Sequence, residues 1–78
     1  MKVRIISPDT TLFEGTAKLL QLPGVDGLFE LLNNHAPIIA ALKAGTIRMQ
    51  QEEEGEKTFE IKAGVVKAQA NDVLILTQ

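Results

Sequence analysis

Residues 46–62 read TIRMQQEEEGEKTFEIK, and this stretch decides the fold class. Apolar and polar residues alternate on both sides of its acidic centre, with Ile47 and Met49 sharing one face before it and Phe59 and Ile61 after it. Strict alternation is typical of a strand that buries one face. The packed like charges between the two halves resist burial, and the glycine among them tolerates positive φ. The stretch therefore predicts a hairpin with a solvated tip.

The rest of the chain repeats this pattern of short apolar runs broken by turn residues. Such runs occupy residues 2–6, 17–22, 65–68 and 73–76, and Gly, Pro, Asn or Asp residues separate them. Short strands at this spacing are typical of an all-β sandwich or barrel. We therefore predict one all-β domain over residues 1–78, a flattened antiparallel two-sheet β-sandwich or barrel.

Composition excludes several classes of function. The 78 residues contain no cysteine, which excludes disulfide frameworks, thiolate metal sites and cysteine nucleophiles. A net charge of −2 and the absence of Tyr and Trp argue against nucleic-acid binding. No apolar run approaches the roughly 20 residues that span a bilayer. We expect no metal, no cofactor, no nucleic-acid partner, and membrane contact only through protein partners.

One region departs from simple alternation. In residues 28–32, Phe29 and Leu31 share one face of a strand, while Leu28 and Leu32 take the other. Because a sandwich buries only one face of each strand, something must cover the second apolar face. We expect a protein partner there; the alternative is the chain's own segment 38–43, which could form about one helical turn.

The sequence argues against catalysis and against a carrier module that holds a group on a modified lysine. His35 is the only histidine, and no serine lies at a nucleophile elbow, so a loop histidine that bonds the backbone or contacts a partner is expected. Lys57 follows the acidic turn, where some small β modules carry a modified lysine. A stand-alone interaction or carrier module therefore remains the alternative function.

Three motifs give the chain a family resemblance. They are LPGVDG at residues 22–27, NHAP at 34–37 and LKAGTIR at 42–48. In this order and spacing they closely resemble the N-terminal β-sandwich domain of the epsilon subunit of F-type ATP synthase, and the likeness covers nearly the whole chain.

The resemblance implies a function and partners. It implies a non-catalytic rotor subunit of a proton-translocating ATP synthase that bridges the gamma shaft and the c-ring. It also implies a peripheral position on the cytoplasmic face of the bacterial inner membrane, and a monomer when the subunit is isolated. Family members commonly continue into a C-terminal helical hairpin, so we expect this chain to be a short form.

The resemblance also implies a partner interface with gamma or the c-ring, formed by Gly27, Leu28, Phe29, Glu30, Leu31, Leu32, Asn34 and His35. Alternation alone leaves open that Phe29 and Leu31 belong to the core. The chain departs from the family pattern where Leu28 replaces an acidic residue and where Lys67 replaces a glutamate.

Overall fold

The computed structural model describes all residues from 1 to 78 and contains nine β-strands. The strands are β1 (Lys2–Ile6), β2 (Thr11–Thr16), β3 (Leu19–Gly24), β4 (Gly27–Leu32), β5 (Ile38–Leu42), β6 (Gly45–Gln51), β7 (Gly55–Ile61), β8 (Gly64–Gln69) and β9 (Asp72–Thr77). The fold contains no helix, and hence no apolar helix of membrane-spanning length. The predicted all-β fold class is confirmed.

The strands form one curled sheet in the order β2-β1-β9-β8-β5-β3-β6-β7, with β4 paired to the free side of β3. At the β5–β3 link only one residue pair, Gly24 with Leu42, is in register. The sheet bends there into a five-stranded half, β2-β1-β9-β8-β5, and a four-stranded half, β4-β3-β6-β7. Buried side chains of both halves belong to one apolar cluster, as expected of a β-sandwich.

Alternation correctly predicts which side chains enter this core. Ile5, Leu20, Ile47 and Met49 are all fully buried, and charged neighbours in the same strands point outward. The predicted tip between β6 and β7 is a solvated turn, in which Gly55 has φ of 80°. The hydrophobic pattern therefore correctly predicts which face of each of these strands is buried.

Two features differ from the prediction. First, β1 and β9 pair in parallel, from Lys2 with Asp72 to Ile6 with Leu76, whereas the other strand pairs are antiparallel. Second, residues 38–42 form a strand and not a helical turn. A single turn of helix is costly to nucleate, whereas β8 offers hydrogen-bonding partners to all of β5, from Ile38 to Leu42.

Candidate partner interface

Strand β4 is an edge strand. It pairs with β3 along its whole length and with no other strand. The connection is the tight turn Val25–Asp26, after which Gly27 has φ of 128°. The opposite edge of β4 has backbone N–H and C=O groups without strand partners, a feature that commonly marks contact sites. The outer face and one edge of β4 are therefore both accessible.

The structure divides the predicted interface residues of β4 between the core and the surface. Leu31 is buried, and Phe29 is half-buried against the core cluster. Leu28 and Leu32 are 68% and 53% exposed, and Glu30 lies between them on the same outer face. Phe29 and Leu31 therefore hold β4 against the core, while Leu28, Glu30 and Leu32 are available to a partner.

An apolar patch extends from β4 onto β3. Leu32 lies directly opposite Leu19, and Glu30 lies opposite Gln21. Residues opposite each other on one face of an antiparallel pair have Cβ atoms about 5 Å apart. We call Leu19, Leu28 and Leu32 the edge patch, an apolar surface with a polar centre at Glu30.

The loop between β4 and β5, residues 33–37, follows the edge patch directly, and we call it the His35 corner. Asn34 has φ of 64°, and the backbone N–H of His35 donates to the carbonyl of Leu32 at 3.2 Å. This bond closes a tight turn at the end of β4. The corner therefore places the backbone of His35 beside the last residue of the edge patch.

The ring of His35 is held by the backbone. Its Nδ1 lies 2.7 Å from the carbonyl oxygen of Ala36, to which it donates. Nε2 is buried and has no hydrogen-bond partner within the chain. A catalytic base would be oriented by a carboxylate or face a nucleophile, and neither partners this ring. The ring is therefore fixed by the chain itself, and the structure gives it no partner with which it could act as a catalytic base.

A second exposed apolar surface lies on the outer face of the five-stranded half. The strand registers place Ala41, Val65, Leu76 and Ile6 in one line across β5, β8, β9 and β1. We call these four residues the outer row. Val65 and Leu76 are about half exposed, and nearby Ile39, on the same face of β5, is 73% exposed.

The outer row was not predicted from the sequence. Its local signal is weak: Val65 lies next to buried Val66, and Leu76 next to buried Ile75. Adjacent apolar residues indicate a strand that is apolar on both faces. Only the registers show that these separate residues form one continuous surface.

A depression of about 370 Å³ lies between the β3–β4 turn and β5. Most of its lining is apolar, including Val25, Phe29 and Ile39. It lies where the two halves of the curled sheet separate beside the single Gly24–Leu42 link. The depression therefore lies between the core-facing side of β4, at Phe29, and β5, and none of the edge-patch residues lines it.

Lys57, the residue of the carrier alternative, follows the acidic tip between β6 and β7. No three His, Cys, Asp or Glu side chains converge as metal ligands. Lys57 lies within β7, opposite Met49, and its Nζ lies 5.6 Å from the centre of the Phe13 ring. A carrier lysine would project from the turn itself, so this placement does not favour the carrier alternative.

Residues 1–78 match the family described as ATP synthase, Delta/Epsilon chain, beta-sandwich domain. The chain belongs to this family. The match covers the whole β-sandwich described above, and it confirms the resemblance found in the three sequence motifs.

Individual relatives of the ATP synthase delta/epsilon family agree with this assignment. The chain is 35% identical to the ATP synthase epsilon chain of Chlorobium limicola over 77 residues, which is 99% of this chain and 88% of the relative. It is 36% identical to the epsilon chain of Chlorobaculum tepidum over 74 residues, covering 95% of this chain and 84% of the relative. These relatives support the predicted role as a subunit of the ATP synthase rotor.

A solved structure has the same fold. The chain superimposes with a TM-score of 0.82 on a chain in the central stalk and c-ring structure of the Tetrahymena thermophila mitochondrial ATP synthase. The aligned region covers 99% of this chain and 62% of that chain, at 13% sequence identity. The two chains therefore share the same fold.

Proposed function

We propose that this delta/epsilon family member is a non-catalytic rotor subunit of a proton-translocating F-type ATP synthase. It bridges the gamma shaft and the c-ring, and thereby supports assembly and the transmission of rotation. It is a monomer when isolated. In the assembled complex it lies at the cytoplasmic face of the bacterial inner membrane and contacts the membrane only through its partners.

The observation that carries this proposal is the exposure of the edge patch. Leu28 is 68% exposed on an edge strand, although its neighbours Phe29 and Leu31 are drawn into the core. Burial of one such leucine in a partner contributes about 1.5–3 kcal/mol. Several contacts of this size are sufficient to hold a small domain on a larger assembly.

The His35 corner adds polar recognition to the edge patch. The side chain of Asn34 is exposed there and can form hydrogen bonds with polar groups of a partner. The polar loops of a c-ring offer such groups. We assign the c-ring contact to the edge patch and the His35 corner.

A bridging subunit needs a second surface for its second partner. The outer row and Ile39 provide one on the other half of the curled sheet, with Arg4 and Lys67 on the same face. We assign the gamma contact to this surface. The two apolar surfaces then contact different partners without competing.

The first prediction tests the c-ring contact in the assembled enzyme. The double variant Leu28→Asp with His35→Ala should weaken retention of the chain on the c-ring by about tenfold or more, because it places a charge in an apolar contact and removes the imidazole that shapes the His35 corner. Proton-driven ATP synthesis in membranes should fall in parallel. Binding to isolated gamma and the thermal unfolding of the chain should remain close to wild type.

A matched control is Leu12→Asp, which alters another exposed leucine on β2, outside both apolar surfaces. This control should leave proton-driven ATP synthesis unchanged. Wild-type ATP synthesis and wild-type c-ring retention in the double variant would reject the assignment of the c-ring contact to the edge patch and the His35 corner. A collapsed melting temperature would instead show that these residues are structural.

A further inference from the structure

The turn of the β8–β9 hairpin lies against the His35 corner. The backbone N–H of Asn34 donates to Oδ1 of Asn71 at 2.9 Å, across 37 residues of sequence. The carbonyl of Asn71 in turn accepts from the backbone N–H of Lys2 at 2.9 Å. Asn71 thus connects three segments: the His35 corner, the hairpin turn and the start of β1.

The backbone of the turn explains why an asparagine occupies position 71. Ala70 and Asn71 have φ of 50° and 61°, the pair of positive values found in the tight hairpin turns that match sheet twist. Asparagine tolerates this conformation better than most residues, and its side chain usually bonds a nearby backbone group. Here the side-chain oxygen reaches the His35 corner instead.

The bond to Asn71 is one of few contacts that place the corner relative to the sheet. The His35–Leu32 backbone bond and the ring contact with Ala36 are both local. Local bonds maintain the shape of the corner but not its orientation. The hydrogen bonds that connect the corner to other segments are the Asn34–Asn71 bond and the bond from the Met1 nitrogen to Oδ1 of Asn33 at 2.5 Å.

We propose that Asn71 is a positioning residue for the docking surface, because its side-chain oxygen holds the His35 corner in the orientation that the partner binds. A corner ordered in advance loses less conformational entropy on binding. Asn71 itself does not need to touch the partner. This inference rests on the proposed function, since it deepens the role of the same site.

Two substitutions at position 71 distinguish the effect of the side-chain acceptor from the effect of the backbone conformation. Asn71→Gly keeps the positive φ and removes the acceptor, and glycine is the residue most favoured in this turn position. Asn71→Asp keeps an acceptor oxygen and also tolerates positive φ. Both variants should fold, with melting temperatures close to wild type.

Two measurements test the positioning role. Amide hydrogen exchange at Asn34, followed by NMR in the isolated chain, should be about threefold to tenfold faster in Asn71→Gly, as expected for loss of one hydrogen bond. The Kd for the purified assembly of gamma and c-ring should rise by a similar factor. Asn71→Asp should restore both values to near wild type.

The outcomes distinguish this inference from the function on which it rests. Unchanged affinity in Asn71→Gly, with faster exchange at Asn34, would overturn the positioning role while leaving the proposed function intact. Equal weakening in the Gly and Asp variants would also overturn it, because the acceptor would then not be the cause. A wild-type chain that fails to bind the assembly would overturn the proposed function and this inference together.

Discussion

Gly24 shows how a single residue connects the family motif to the fold. A Cβ at this position would lie 2.7 Å from the carbonyl oxygen of Gly27 and 2.8 Å from the ring of Phe29. The same residue pairs with Leu42 in the one-residue link between the halves of the curled sheet. Glycine is thus required here for space, because backbone and aromatic ring both approach it closely.

We predict that Gly24→Ala lowers the free energy of unfolding by about 1–3 kcal/mol, since a tightly packed site must shift to admit a methyl group. Urea denaturation followed by circular dichroism measures this change. Gly15→Ala is the matched control, with a smaller expected effect: its Cβ would meet only the side chain of Phe13, at 2.9 Å. Equal losses at the two sites would contradict the steric explanation.

Among the structural elements, the β8–β9 hairpin has the most unusual turn. Ala70 adopts φ of 50°, a left-handed conformation that is unfavourable for residues with a Cβ and no local side-chain hydrogen bond. The hairpin is nevertheless well formed, from Gly64 with Thr77 to Gln69 with Asp72. The ladder and the core packing of Val66 and Ile75 therefore impose the turn on Ala70.

The turn can be improved without altering the ladder. Ala70→Asn should raise the free energy of unfolding by about 0.5–1 kcal/mol, because asparagine tolerates left-handed geometry better than alanine. Thermal or urea denaturation would detect this gain. Ala44→Asn, at an exposed loop position without positive φ, should give no gain. A loss of stability in Ala70→Asn would show that the turn is not strained.

At the scale of the whole molecule, the curled sheet encloses one core. Strands β2 and β7 lie at opposite ends of the strand order, yet Phe13 and Phe59 meet with ring centres 5.8 Å apart and planes at 62°. The side-chain Nε2 of Gln51 also donates to the carbonyl of Thr16 at 3.3 Å. The far edges of the sheet therefore approach each other and cover the open side of the core.

A core this small depends strongly on each large side chain. Leu20 is fully buried, so Leu20→Ala should lower the free energy of unfolding by about 2–5 kcal/mol. That is a large part of the roughly 5–15 kcal/mol that holds a domain together, and a chain of 78 residues is expected at the lower end. Equilibrium urea unfolding gives the value directly.

The control for this prediction is Leu12→Ala. Leu12 is 43% exposed, so the same change in chemistry removes much less buried apolar surface there. We expect a loss below about 1 kcal/mol. Similar losses at the two positions would contradict the core described here.

Much of the candidate site was predictable from sequence, since the alternation in residues 28–32 already assigns Leu28 and Leu32 to the face opposite Leu31. The position of His35 in a loop, with its ring bonded to the backbone, was also expected. The outer row and the Asn34–Asn71 bond were not. Both involve residues that are distant in sequence. The local pattern around each residue does not indicate which distant residue lies next to it.

The amino-acid sequence by itself determined the all-β class, the buried face of the strands that alternate clearly, and the family. Alternation is a local property with a period of two, so it depends only on neighbouring residues, and the family motifs are equally local. Only the tertiary structure decided the parallel pairing of β1 with β9, the exposure of the two apolar surfaces and the anchoring of the His35 corner. Alternation specifies which face of a strand is buried but not which strand lies beside it, and that choice is made by packing of the whole chain.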